Sequence, residues 1–197
     1  MKRHHLLRST CLATFIASLT ACGGEYSDPA EISIGIFLDS PVEGIGYRTP
    51  TQSGITNSKG EYSFTQGETV TFFVGAIELP AVVAKDVVTP LDIAKTTDIN
   101  NPMVSNILVL LQTLDKDGDP KNGIKIPSEA ASRATEPLDF SVDPLAFSAD
   151  TRLITLATNS GSTIQSLVPE SLAIGNFLET LQELGISYQS HLPHKPY

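Results

Sequence analysis

The chain has 197 residues, 13 of them basic and 22 acidic, so its formal net charge is −9. This length suits one domain or two small ones and is enough to bury a hydrophobic core. An acidic chain repels phosphate backbones, which argues against a nucleic acid partner. Two cysteines cannot form a disulfide-rich scaffold or a four-thiolate zinc site.

The first 21 residues have the layout of a secretory signal peptide. Lys2, Arg3 and Arg8 form a basic head, and a mostly apolar run follows over residues 9–19. The run is too short to span a bilayer, which takes about 20 apolar residues. We therefore predict that residues 1–21 are a signal peptide that is removed.

Residues 19–22, with the sequence LTAC, resemble the lipobox of bacterial lipoproteins. The resemblance implies a diacylglycerol on the Cys22 thiol and an acyl chain such as palmitate on the new amino terminus. Two or three acyl chains anchor a protein stably, because each buried methylene contributes about 0.8 kcal/mol. In Gram-negative lipoproteins an Asp after the cysteine favours retention at the inner membrane. Gly23 stands there in this chain, so the resemblance implies the outer membrane; a secreted protein cut elsewhere is the alternative.

Few groups for nucleophilic chemistry would remain after this processing. Cys11 leaves with the signal peptide, and the lipid occupies Cys22. The remaining histidines, His191 and His194, lie in a proline-bounded segment at the end of the chain, whereas a catalytic triad needs a rigidly held imidazole. The sequence also lacks a G-x-S-x-G motif and a P-loop.

A β-rich region is predicted over residues 32–89, after a small polar lipidated tether at residues 22–31. Residues 54–64 are predicted to form a strand, a tight turn and a second strand, with Tyr62 and Phe64 on one face. β-Branched and aromatic residues with turn signals between them predict further strands over residues 32–38, 46–49, 69–75 and 77–83.

Residues 42–64 resemble the prealbumin-like β-sandwich modules of bacterial surface proteins and carboxypeptidase regulatory domains. The positions that fit their pattern are Gly54, Thr56, Asn57, Gly60, Tyr62 and Phe64. Residues 37–126 are also similar to proteobacterial envelope lipoproteins that carry a VTPLD…LLQTLDxDGxPxNGI region, which residues 88–92 and 110–115 match. The resemblance implies a β-sandwich and brings no catalytic residue with it.

After Pro90 the apolar period becomes helical. Asn101 is a favourable N-cap, Pro102 suits a first helical turn, and the apolar residues that follow have the spacing of one helix face: Val104, Ile107, Leu108, Leu111 and Leu114. Further helices are predicted over residues 128–134, 148–157 with Ser148 as the cap, and 168–185, with a tail over 186–197. Strands followed by helices predict an α+β fold, in which a small antiparallel β-sandwich-like N-terminal module precedes a helical C-terminal half over residues 90–185.

The most specific polar motif is the Asp-rich loop, residues 115–124. Its candidate Ca²⁺ ligands are Asp115, Asp117, Asp119 and Asn122. Ca²⁺ takes six to eight oxygen ligands, and the alternating carboxylates resemble the start of EF-hand and dockerin-type loops. The loop departs from that pattern at its fourth position, Gly118, and at its twelfth, Ile126. The alternative is a polar loop that only closes a helix.

Three functions therefore stay open. The first is a non-enzymatic outer-membrane lipoprotein that acts as a binding or structural module, held to the bilayer by acylated Cys22 and in contact with an envelope protein or an extracellular ligand. The second is a surface hydrolase that acts on glycan or ester with carboxylates such as Asp92 and Asp115, for which Asp86 and Asp98 are further candidates. The third is a calcium-dependent adhesion module.

Overall fold

The structure, a computed structural model, describes residues 31–190, and these residues belong to one compact unit. Strands dominate up to residue 88 and helices follow, so the predicted α+β fold is confirmed. The strands of the described residues are β1 Ile32–Phe37, β2 Val42–Glu43, β3 Gly46–Arg48, β4 Ser53–Ile55, β5 Glu61–Thr65, β6 Thr69–Val74, β7 Ile77–Glu78, β8 Val82–Val83, β9 Val87–Val88 and β10 Ile124–Lys125. The helices are α1 Pro90–Ile93, α2 Pro102–Thr113, α3 Ser128–Arg133, α4 Pro144–Ser148, α5 Thr151–Asn159 and α6 Glu170–Glu183, with a 3₁₀ turn at Pro120–Asn122.

Two small sheets face each other across an aromatic core. One has the strand order β5-β1-β9, and the other has the order β4-β3-β6-β7 with β8 also paired to β6. Phe37 of the first sheet stacks on Phe72 of the second with ring centroids 4.1 Å apart, and Tyr62 meets the same Phe72 edge-on at 5.2 Å. Tyr62 and Phe64 are both buried, so the expectation that they share an inward face is confirmed.

The predicted order of strand, turn and strand over residues 54–64 is confirmed, but the two strands do not pair with each other. β4 pairs with β3 in one sheet, whereas β5 pairs with β1 in the other. Between them, buried Thr56 donates its hydroxyl to the carbonyl of Val42 and accepts the amide of Ile45. These bonds hold the chain where it crosses from one sheet to the other, so the turn at Asn57 and Gly60 joins two sheets.

Parallel pairing also occurs, which the sequence did not predict. β9 lies parallel to β1, and β10, from the helical half, lies parallel to β2. Each of these pairings involves only two residues per strand, which is too short for a recognisable pattern of alternation.

Helix α2 is the centre of the helical half. Asn101 caps it and Pro102 begins it, as predicted, and every residue from Val104 to Thr113 is buried. One side of α2 joins the core of the sheets through Ile107, Leu110 and Leu111, and another side packs on α6. The helix is therefore enclosed on several sides, and its apolar surface is wider than a single face.

The predicted start of the helix over residues 148–157 is wrong. Ser148 ends α4 instead of starting the next helix, and Asp150 caps α5 by accepting the amide of Arg152 at 2.8 Å. The segment after Gly185 is also not a free tail at its start, because the amide of Gln189 donates to the carbonyl of Thr97 and its carbonyl accepts from Ile99. The rest of the predicted tail, residues 191–197, lies outside the described residues.

Candidate functional site

The Asp-rich loop lies where three parts of the chain meet. Asp115 follows the C-terminus of α2, and its Oδ1 accepts the amide of Lys125 in β10 at 2.8 Å. Its backbone carbonyl accepts the hydroxyl of Ser162, and the carbonyl of Lys116 accepts the amide of Thr163. The loop therefore ties α2 to β10 and to the segment that follows α5.

The structure brings Asp115, Asp117 and Asn122 together but gives Asp119 another role. The Oδ2 atom of Asp117 accepts the side-chain amide of Asn122 at 3.0 Å, and its Oδ1 accepts the amide of Asp119. Asp119 caps the 3₁₀ turn by accepting the amide of Lys121. Within residues 31–190, no three His, Cys, Asp or Glu side chains form a group that could hold a metal ion, so the loop offers a pair of carboxylates rather than a triplet.

Burial changes the acidity of this pair. It raises the pKa of Asp115 to about 6; the amide of Lys125 opposes this rise, and the neighbouring carboxyl of Asp117 adds to it. The amide of Asp119 lowers the pKa of Asp117 from its usual value. The side chain of Asp115 keeps one buried oxygen, Oδ2, that has no hydrogen-bond partner among the described residues.

A second buried carboxyl, Asp39, was missed by the sequence analysis as a site residue. It follows β1 and is 1% exposed, and both of its oxygens lie within 3.2 Å of Nε2 of Gln112 near the C-terminal end of α2. The same nitrogen donates to the carbonyl of Ala173, and Oε1 of Gln112 accepts from Asn176 of α6. Burial raises the pKa of Asp39 to about 8, against the lowering effect of Gln112. The sequence signal that could have identified this pair was a carboxyl directly after the apolar run of β1 and an amide within the apolar run of α2.

The carboxylates considered for hydrolysis have structural partners. Asp92 accepts the amide of Thr89 in a capping box at the start of α1, and it also accepts Lys85 Nζ at 2.7 Å. The side chain of Asp115 accepts from β10 instead, so no hydrogen bond joins the two acids within residues 31–190. Asp98 accepts the amide of Asn100, and Asp86 is exposed.

Two concavities on the surface are lined in part by charged side chains. One of about 540 Å³ lies between α3 and α5, with Arg133, Glu136 and Arg152 along it. Arg152 is already engaged by Asp150 and by the carbonyl of Pro137. The other, of about 380 Å³, opens beside the Asp-rich loop and is lined by Asp117 among others.

The predicted lipidation residue Cys22 and the histidines at 191 and 194 lie outside the described residues. Among residues 31–190, no helix has both the length and the apolar character needed to cross a membrane. No known protein family, curated protein or solved structure matches the chain.

Proposed function

We propose that this protein is an outer-membrane lipoprotein whose folded part serves the cell envelope as a non-enzymatic binding or structural module. The observation that carries the proposal is the order of a basic head, a short apolar run and the sequence LTAC, with Cys22 at its end. In this proposal, acyl chains on Cys22 hold the protein on the bilayer, and the domain that begins at β1 makes the contacts with its partner.

The length of the tether supports a module held close to the membrane. Only nine residues, 23–31, separate Cys22 from the first residue of β1. A segment of that length spans at most about 30 Å even when fully extended. A lipidated Cys22 would thus keep β1 near the headgroups, which suits a protein that binds envelope components.

An exposed sheet edge supports a role in recognition. Among the described strands, β4 is hydrogen-bonded only to β3, and all three of its residues are exposed. Ile55 at its end has 72% of its surface exposed. An open strand edge offers backbone donors and acceptors to an extended segment of a partner, while a nearby apolar side chain adds contact area. We assign the partner contact to this edge.

The test of the anchor is the mass and the partition of the protein expressed in a Gram-negative host. We expect an intact mass equal to residues 22–197 plus acyl groups and partition into the detergent phase, because the chains on Cys22 prefer a micelle to water. Cys22→Ala should abolish both, whereas Cys11→Ala, which removes a cysteine of the signal segment, should leave them unchanged. An unmodified Cys22 thiol, or a mature chain that starts elsewhere, contradicts the proposal.

The membrane assignment has its own test. We expect Gly23→Asp to move the protein from the outer- to the inner-membrane fraction of a sucrose gradient, because it creates the retention signal next to Cys22. Ser27→Asp is the matched control, since it adds the same charge within the tether but away from the cysteine. If both variants stay with the wild-type protein in the inner-membrane fraction, the outer-membrane assignment fails while the lipid anchor stands.

A further inference from the structure

Within residues 31–190, Oδ2 of Asp115 is a buried carboxyl oxygen that has no hydrogen-bond partner. Asp115 is 1% exposed, and its Oδ1 accepts the amide of Lys125, but Oδ2 accepts nothing among the described residues. Buried acceptors are nearly always satisfied, because removing one from water without a replacement partner is unfavourable. An atom of this kind calls for a ligand.

The side chains around this oxygen are oxygen donors. The carboxyl of Asp117 lies against that of Asp115, so the two acids would repel each other if both were ionised with nothing between them. Asn122 donates its amide nitrogen to Asp117, and this bond does not use its carbonyl oxygen Oδ1.

A concavity opens from the surface onto the Asp117 side of the loop. The concavity of about 380 Å³ beside the loop is lined by Asp117, Asn122 and backbone around Gly123. Lys116 and Lys125 also line it, and Lys125 Nζ is held by Glu43 at 3.0 Å. The cavity is large enough for a hydrated ion, and water can complete a coordination shell there.

We propose that Asp115 and Asp117 bind a Ca²⁺ ion, with Oδ2 of Asp115 as the buried ligand and Oδ1 of Asn122 and water as further ligands. The ligands that the loop offers are oxygen atoms, which favours a hard cation, and Ca²⁺ accepts irregular loops more readily than Mg²⁺, which demands octahedral geometry. Asp119 is not a ligand, because its carboxylate caps the 3₁₀ turn. The proposal does not depend on the lipid anchor.

The ion would bind where the β-rich half and the helical half of the fold are in contact. The residue that provides the buried ligand also accepts from β10, and β10 pairs with β2 of the β-rich half. Because α2 ends at this same loop, the ion would fix the sheets, α2 and the segment after α5 to one another. Binding should therefore raise the stability of the whole domain.

The experiment is thermal unfolding of the purified full chain in EDTA, in 10 mM Ca²⁺ and in 10 mM Mg²⁺, with calorimetric titration of Ca²⁺ alongside it. We expect Ca²⁺ to raise Tm by about 5 °C or more, which corresponds to a dissociation constant near 10⁻⁴ M, and Mg²⁺ to raise it much less. Asp115→Asn should keep the hydrogen bond from Lys125 through its Oδ1, remain folded in EDTA and lose the Ca²⁺ response.

Asp139→Asn is the matched control. Asp139 accepts the amide of Ser141 two residues ahead, just as Asp117 accepts that of Asp119, but it lies outside the loop. This variant should keep the full Ca²⁺ shift, whereas Asp117→Asn should lose it. An unchanged Tm and no heat of binding in the wild-type protein would overturn the proposal. A proton shared between the carboxyls of Asp115 and Asp117 would then account for the buried oxygen. A Ca²⁺ shift that persists in Asp115→Asn would equally overturn it.

Discussion

At the scale of single residues, the most unusual group is the carboxyl of Asp39. It is enclosed between the sheets and α2, and its partner is a neutral amide, Gln112, rather than a cation. Without a counter-ion, burial disfavours the charged form, which is why the pKa of Asp39 rises to about 8. Near neutral pH the protonated acid and the amides of Gln112 and Asn176 form a neutral network that links β1, α2 and α6.

This residue predicts how stability depends on pH. Because the folded protein holds the proton of Asp39 up to about pH 8 while the unfolded chain releases it near pH 4, the folded state binds more protons over that interval, and stability falls as pH rises through it. The slope is about 1.4 kcal/mol per pH unit well below pH 8 and falls to about half of that at pH 8, an interval in which Asp115 is already mostly ionised. Asp39→Asn should flatten the slope, because an amide offers the same acceptor and donor pair as the protonated acid.

Urea unfolding in EDTA at pH 6.5, 7.25 and 8 measures this slope. Asp86→Asn is the control, because Asp86 is an exposed acid with no hydrogen bond of this kind. It should retain the wild-type slope. A wild-type slope in Asp39→Asn would mean that another group carries the pH dependence.

The sequence could identify the loop acids but not their roles. Asp115, Asp117 and Asp119 alternate in the chain, and alternation predicts three equivalent ligands. The structure gives them different roles. Asp115 is buried against β10, Asp117 lies beside Asp115, and Asp119 caps the 3₁₀ turn. Asp39 and Gln112 lie 73 positions apart, and nothing local pairs them.

At the scale of elements, the start of α2 was predictable because it depends on neighbouring residues. Asn101 accepts the amide of Met103 at 2.9 Å, and Pro102 occupies the first turn, where its missing amide costs nothing. Asn101→Ala should therefore lower the free energy of unfolding by about 1 kcal/mol. Asn101→Ser should restore most of it, because serine is also a good cap.

Chemical denaturation measures the stability of Asn101→Ala, and a variant of the preceding asparagine is the control. Asn100→Ala removes the same side chain one residue earlier, outside the cap, and should change stability by less than about 0.5 kcal/mol. Equal losses from Asn100→Ala and Asn101→Ala would show that the cap of α2 does not stabilise the fold.

The pairing of the strands could not be predicted from the sequence. The strands β3, β5 and β6 were predicted from β-branched and aromatic residues and turn signals, but no local pattern shows that β4 pairs with β3 rather than with β5, the next strand in the chain. The parallel partners β9 and β10 have two residues each, and β10 is separated from β2 by α2. Their pairing depends on the completed fold, so no local pattern records it.

At the scale of the whole molecule, the two halves share one core. The sequence left open whether the sheets and the helices fold together. In the structure, Phe37 and Phe72 of the sheets belong to the same buried cluster as Leu111 of α2 and Leu153 of α5. The predicted boundary at residue 89 therefore separates types of secondary structure rather than independent cores.

A shared core predicts that damage to the last helices will unfold the sheets as well. Leu153→Ala removes a side chain that is 0% exposed and should lower the stability by about 2–5 kcal/mol. The near-ultraviolet circular dichroism of Tyr47 and Tyr62, both buried in the sheets, should lose its signal at the same urea concentration as the helical signal at 222 nm. Leu145→Ala is the control, because Leu145 is 80% exposed on α4, and both of its transitions should stay at the wild-type midpoint. Should Leu153→Ala shift only the helical transition, the sheets would be stable without the helices, and the binding edge at β4 would not need the helical half to keep its shape.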